Sequence, residues 1–300
     1  METKRLKPLN DFAFKKVMGE KGREELLLSF LNAVLAKTGK GPLRSIEIVE
    51  NRDLPAGIAG AKSVILDVRS VLADGTRADI EVQLQNQYNM DKRNLFYWSA
   101  EYTKGIEAGA NFSSLRPVIT INIIDFKYIR IENVFHTSYH IYEDAYKDYR
   151  LTDLLEIHYI EMPKFRNVRE KDLSANPLHR WLVWLDEHSP PGLVEEVLKM
   201  DAMIQRAQTI LDLIRTDPAL LHSYEMYELQ LMDEQSRLEG AAREALEEGL
   251  KEGLKEGKLS KAKEIAGNAL AAGVAVELVS EITGLDLETL RNLGGRPAEF

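Results

Sequence analysis

The chain contains no cysteine. That excludes disulfides, thiolate metal centres and a cysteine nucleophile. No apolar run approaches the ~20 residues that a membrane-spanning helix needs, so no membrane partner is expected. The first residues, METKRLKPLNDF, have no apolar stretch behind their charges. They do not read as a secretory signal, and the expected location is cytoplasmic. Positive charge is also in deficit: 39 Lys and Arg stand against 48 Asp and Glu, a net charge of -9. This argues against a module that coats nucleic acid over its whole surface. It leaves room for an enzyme that meets DNA through a local basic patch, and Lys4, Arg5, Lys7, Lys15, Lys16, Lys21 and Arg23 form one near the start. A GxxxxGK[ST] phosphate loop is missing. Ser63 and Ser70 have no His partner legible in the sequence, so no hydrolase triad is visible.

What is present suffices for one large domain plus an appendage, or for two domains, since 44% of the 300 residues are apolar. Residues 10–37 carry apolar residues at helical spacing behind an N-cap at Asn10 or Asp11, and Gly19 and Gly22 break the helix in two. Strands are expected at 46–50, in a hairpin at 64–85, at 117–124, and more weakly at 139–143 and 155–161. A helix is expected at 91–109. The order predicts an α/β fold, a mixed sheet flanked by helices. Beyond residue 168 the strand signal vanishes. The reading is therefore a core at 1–168, a helical extension at 169–236, and a segment at 237–300 with a Gly/Glu/Lys repeat helix and a small helical tail. In that repeat, EEGLKEGLKEGK, each glycine costs about 1 kcal/mol of helix propensity. Pairs of Glu and Lys three or four residues apart partly offset this. Either the repeat is a solvated spacer, the favoured reading, or its glycine stripe packs against a second helix and makes a homo-oligomer through the C-terminal helices.

The hairpin VILDVRSVLADGTRADIEVQLQ has two alternating runs joined by a turn at Ala73-Asp74-Gly75. Val64, Leu66, Val68, Leu72, Ala78, Ile80, Val82 and Leu84 form one face, and Asp67, Arg69, Arg77, Asp79, Glu81 and Gln83 form the other. A two-residue Asp-Gly turn would send Asp67 and Glu81 to opposite faces. A three-residue loop Ala73-Asp74-Gly75, with Gly75 left-handed, pairs Leu72 with Thr76 and sets Asp67 opposite Glu81. Such a pair stands ~5 Å apart at Cβ. Two facing carboxylates repel unless water screens them or a cation lies between them. A hard divalent ion suits carboxylate and carbonyl oxygens, so Asp67, Glu81 and the carbonyl of Val82 form a candidate hydrolytic metal site. The other reading is a solvated face balanced by Arg69 and Arg77.

Asp67 followed by Glu81-Val82-Gln83 resembles the signature of the PD-(D/E)XK nuclease superfamily. The stretch Asn10-Asp11-Phe12-Ala13-Phe14-Lys15-Lys16-Val17-Met18-Gly19 resembles the opening motif of its Rpn branch, the recombination-promoting nucleases and transposase-like proteins. Residues 29–35 (SFLNAVL), Arg93 with Tyr97, residues 155–165 (LEIHYIEMPKF), the EEGLKEGLKEGK repeat and residues 281–285 (EITGL) add to the match. The resemblance implies a restriction-endonuclease-like αβββαβ core and metal-dependent hydrolysis of DNA with Mg²⁺ or Mn²⁺. It implies that Asp67 and Glu81 are metal ligands and that Asp11 approaches the metal or its water. Gln83 stands where a lysine is usual and would orient the attacking water. Leu66 replaces a proline that carries no chemistry.

Other residues have two readings each. Arg93 and Tyr97 share a helix face, as a phosphate contact or as a half-buried packing pair. Gln85 continues the polar stripe towards substrate, and Lys15 belongs to the basic start. Asp79 reads as a surface charge near the turn, with a supporting role at the site as the alternative. His158 reads as a satisfied core residue, and His136 and His140 fall in a loop and strand. Trp181 and Trp184 read as packing on an amphipathic helix.

Overall fold

A computed structural model of the chain describes residues 6–40, 42–49, 68–86, 89–106 and 111–294. Residue 67 and the first half of the expected hairpin arm, with Val64 and Leu66, lie outside the described residues.

The N-terminal helix forms in the two pieces expected. In α1 (Asp11–Met18) the Asn10 side chain accepts from the backbone N–H of Ala13, satisfying one of the donors that a helix start leaves open. Helix α2 (Glu24–Leu35) buries Leu26, Leu27, Phe30, Leu31 and Val34. Strands β1 (Ile46–Val49), β2 (Val68–Leu72) and β3 (Arg77–Gln83) follow. Then come α3 (Met90–Thr103) and β4 (Val118–Ile124). This is the αβββαβ order that the resemblance implies. Strands β5 (His136–Tyr139) and β6 (Leu155–Glu161) complete a six-stranded sheet in the order β1-β2-β3-β4-β6-β5. The β1-β2-β3 meander and β5-β6 are antiparallel, and β3-β4-β6 are parallel. Parallel neighbours need crossover segments; α3 lies in the first.

Two local expectations change. The weak strand expected at 139–143 lies earlier, at His136–Tyr139, where it pairs with β6. Beyond it only the isolated bridge between Tyr142 and Arg150 continues. Helix α3 ends at Thr103 rather than 109. Gly105 lies in the turn that follows, its N–H donating to the carbonyl of Tyr102.

The hairpin turn closes as its three-residue form requires. Leu72 donates to Thr76 at 2.8 Å, Gly75 donates to Leu72 at 2.9 Å, and Gly75 has φ +85. That left-handed conformation costs little without a Cβ. The register pairs Val68 with Ile80 and Arg69 with Asp79, so equal parities face each other along the described ladder.

The chain divides into two compact units, 1–228 and 229–300. In the first, one face of the sheet packs its even-numbered residues Ile80 and Val82, with Ile119, Ile121 and Ile123 of β4, into a core shared with α1 and α2. Helices α4 (Met162–Arg166), α5 (Pro177–Leu185), α6 (Pro191–Met200) and α7 (Ala202–Thr216) extend that core. Trp181 and Trp184 are buried there in an edge-to-face pair at 5.8 Å. Helix α8 (Pro218–Ala271) begins in this unit and contains the whole EEGLKEGLKEGK repeat. In the second unit α8, α9 (Val276–Thr283) and α10 (Leu287–Gly294) form a small cluster around Ala266, Val279, Leu285 and Leu290. No described helix is long and apolar enough to cross a membrane.

Candidate functional site

The polar face of the hairpin is not wet. Asp79 and Glu81 are 3% and 4% exposed. Helix α3 lies over this face: Asn94 accepts from the hydroxyl of Thr120 at 2.7 Å, and the Trp98 indole donates to the carbonyl of Val118. Asp79 is therefore no surface charge. Parallel β3 pairs with β4 through its full length, which places it inside the sheet instead of at an edge that water can reach. Arg69 and Arg77 do not balance Glu81. They point to Glu101 of α3, at 2.8 and 3.5 Å, and Lys104 joins them at 2.6 Å. Burial alone would raise the Glu101 carboxyl, but the hydrogen bond from Lys104 and the charges of Arg69 and Lys104 outweigh it and hold the group below its ordinary range. Asp79 moves the other way. Burial first, then the neighbouring Glu81 and Glu101, hold its carboxyl well above the usual range.

Glu81 and Gln83 sit at the C-terminal end of β3. The Arg93 guanidinium donates to Oε1 of Glu81 at 2.5 Å, and the Gln83 amide donates to the same oxygen at 3.0 Å. Arg93 also lies over the ring of Tyr97, 5.2 Å from its centroid, so the two readings of that pair merge: it packs, and it reaches the site. Burial raises the Glu81 carboxyl, Arg93 opposes the rise, and Asp11 adds to it. Asp11 is thus close enough for its charge to be felt. Its Oδ2 accepts from Lys15 at 3.0 Å and from the Tyr227 hydroxyl at 3.1 Å, while its Oδ1 is buried with no hydrogen-bond partner among the described residues. Gln85 lies beyond the end of β3, half-buried in a bend, so it does not continue the strand's alternation.

Asp67 lies outside the described residues. Among the described residues no group of three His, Asp or Glu is arranged to hold a metal ion. The donors nevertheless suit a hard cation. An orphaned buried carboxylate oxygen carries an unmet desolvation cost of about 1–3 kcal/mol or more. Next to it stands a second carboxylate whose ionisation Asp11 disfavours. A divalent ion would relieve both.

Three residues of this layer escaped the sequence reading. Asn94, Glu101 and Lys104 lie on the same α3 stripe as Arg93 and Tyr97, and the spacing of three or four that makes this stripe is legible in MDKRNLFYWSAEYTK. Tyr227 had no such signal, for it is 216 residues from Asp11.

No curated protein and no solved structure matches the chain significantly. A family model does. The order of elements, the Glu81-Val82-Gln83 strand end and the α1 carboxylate beside it agree with the match to residues 8–241, and the chain belongs to the PD-(D/E)XK nuclease family transposases.

Proposed function

We infer that the chain is a divalent-metal-dependent DNA endonuclease, acting in the cytoplasm in recombination or mobile-element biology. The observation that carries this reading is the buried Oδ1 of Asp11, without a partner among the described residues, and the raised carboxyl of Glu81 on which Asp11 acts. Asp11, Glu81, Asp67 and the carbonyl of Val82 would hold Mg²⁺ or Mn²⁺. The ion supplies Lewis-acid stabilisation of charge on a phosphoryl oxygen and activates water. Gln83, anchored on Glu81, orients the attacking water through its amide; it cannot act as a base near neutral pH. Arg93 and Tyr97 form the wall of the site on α3 and meet the substrate phosphates, with Lys15 and Gln85 at the margins. Lys15 also holds Asp11 at 3.0 Å, which fixes the direction of that carboxylate.

A second reading has its own support. Arg93 already neutralises Glu81 at 2.5 Å, as would suit a nuclease fold kept as a DNA-binding or oligomerisation platform with weak or no activity. The exposed Leu246, Leu250 and Leu254 on α8 fit self-association through that helix. Nicking of supercoiled plasmid with Mg²⁺ or Mn²⁺ separates the two. The endonuclease reading expects cleavage that EDTA, Asp67→Ala and Glu81→Gln each abolish. Folded protein that binds plasmid but leaves it intact with either metal supports the platform.

A further inference from the structure

Residues 125–133 leave β4 at the same end of the sheet as Gln83. They have no regular secondary structure, yet their backbone is held from beneath by a buried ion pair. Glu161 of β6 is fully buried, and its Oε1 accepts from the N–H groups of Tyr128 and Ile129 at 2.7 and 3.3 Å. Lys164 of α4 pairs with Oε2 of the same carboxylate and donates to the carbonyls of Ile129 and Ile131 at 2.7 and 2.9 Å. A buried ion pair offsets its desolvation only when its remaining donors and acceptors are satisfied. Here the backbone of one surface loop satisfies them. The loop ends at Asn133 with φ 59, a left-handed turn that asparagine tolerates better than most residues.

The loop is also tied to the candidate site. Asp125 donates to the carbonyl of Gln83 at 2.9 Å. The Tyr128 hydroxyl donates to Asp91 and accepts from the Asp91 N–H, both at 3.0 Å. Asp91 lies in the first turn of α3, two residues before Arg93. On its outer side the loop lines an open pocket of about 480 Å³ with Lys127, Arg130, Lys164 and Asn167; Glu132 is the acidic residue among those that line it. Lys127 and Arg130 are exposed and make no ion pair among the described residues. By contrast the neighbouring cations, buried Lys164 and half-buried Arg166, are committed to Glu161, Asp125 and Asp186.

We propose that the 125–133 loop is a preformed phosphate-binding edge that holds a DNA duplex beside Glu81, with Lys127 and Arg130 contacting backbone phosphates. This rests on the nuclease reading and adds to it the place where the duplex is held. Fixing a loop before binding lowers the ordering cost at the moment of association. It also explains how a chain with net charge -9 could hold a polyanion: two unneutralised cations on a rigid edge supply locally what the whole surface does not.

The test is anisotropy binding of a fluorescent DNA duplex to the full chain in EDTA, across a salt series. Two phosphate contacts contribute about 1.8 to the slope of log affinity against log salt, roughly 60-fold at 0.1 M salt. The double variant Lys127→Ala/Arg130→Ala is expected to lose that much slope and affinity, while Lys199→Ala, an exposed cation on α6, changes neither. In cleavage assays the double variant should raise KM and keep kcat. An unchanged slope, or a fall in kcat at unchanged KM, overturns the proposal. A wild-type chain that does not bind DNA overturns it together with the nuclease reading, whereas a wild type that cleaves normally with an indifferent double variant overturns the loop alone.

Discussion

The two faces of one sheet have been made by opposite means. On the α2 side, Ile80 and Val82 of β3 and Ile119, Ile121 and Ile123 of β4 are buried among side chains that ask only for shape. On the α3 side, one residue along on the same strands, Asp79, Glu81, Thr120 and Asn122 are buried just as deeply. These groups need named partners, because a buried charge without one is costly. Glu101 collects Arg69, Arg77 and Lys104; Thr120 has Asn94; Asn122 donates to the carbonyl of His158 at 2.9 Å. Asp11 and Asp79 are the incompletely served carboxylates of the layer: each keeps a buried Oδ1 without a hydrogen-bond partner among the described residues, and the charge of each is coupled to that of Glu81. An alternating sequence therefore does not mean a dry face and a wet one. It can mean a dry face and a second interior, and the place where that interior is left unsatisfied marks the candidate for chemistry.

The comparison is sharpened most by Glu81. Glu81→Ala removes the carboxylate that Arg93 and Gln83 are arranged around. Loss of a metal ligand at the site of charge stabilisation should lower plasmid nicking by about 10³-fold, or ~4 kcal/mol. Thermal stability should change far less, because the variant also removes a carboxylate that burial disfavours. Equal losses of activity and stability would make Glu81 a structural residue.

Next come two stability variants, one from each face. Glu101→Ala leaves three cations facing a buried space, and breaking such a network by one partner costs on the order of 3–5 kcal/mol. Ile121→Ala opens a cavity on the other face at about 2–5 kcal/mol. Chemical denaturation should find similar losses, and conservative replacements should then separate them. Ile121→Val keeps most of the shape and should cost only about 1 kcal/mol. Glu101→Gln keeps the shape but not the charge and should recover much less. Equal recovery would mean that the α3 face, too, is held by packing alone.

Smaller still is Thr120→Val, which keeps the volume and removes the donor to Asn94 Oδ1 at 2.7 Å. Leaving that buried acceptor unmet should cost about 1–3 kcal/mol, read as a fall in melting temperature. No change would show that Asn94 turns its amide over and finds another partner.

Much of this was legible in the chain and some was not, for physical reasons. Period-two alternation and Gly75 fixed the hairpin's turn and parity, because both are local. The short, β-branched run at 118–124 announced a buried strand. What α3 would cover was not local. Its stripe of Arg93, Tyr97, Glu101 and Lys104 looks like a solvated helix face until the sheet's polar residues are known to lie under it. Asp79 was misread for the same reason: near a turn a charged residue usually faces water, and only the parallel pairing of β3 with β4 removes that option. The Asp11 carboxylate could be picked out by likeness to a family motif, but its hydrogen bond to Tyr227 depends on a helix that begins only at Pro218. The orphaned oxygen that makes it interesting is invisible without the fold.

The smallest effect concerns a place where the α2 face departs from its own rule. At β5 and β6 it holds Glu156, His158 and His136 in a buried row: His158 lies 2.8 Å from Glu156 and 2.9 Å from His136. Burial, then the neighbouring His158 and Lys37, pull the His136 imidazole down to about 3. Hydrogen bonds from His158, Lys40 and Thr38 hold Glu156 below its ordinary range against the pull of burial. Both shifts have the same sign in stability. Unfolded His136 takes up a proton below its ordinary value of 6.5, which the folded state refuses, so stability present above pH 6.5 is lost as pH falls towards 3. Glu156 adds a further loss below its ordinary value of 4.5 as pH drops through its lower folded value. From pH 7.5 to 5.5 the His136 contribution alone is ~1.4 kcal/mol. Denaturation at the two pH values should show that difference in the wild type, and His136→Gln should lose most of it while keeping a side chain that can hydrogen-bond to His158. If the variant keeps the full difference, the acid sensitivity belongs to other groups, among them His140 and His179, whose imidazoles burial also lowers, and His136 obeys the packing rule of its neighbours after all.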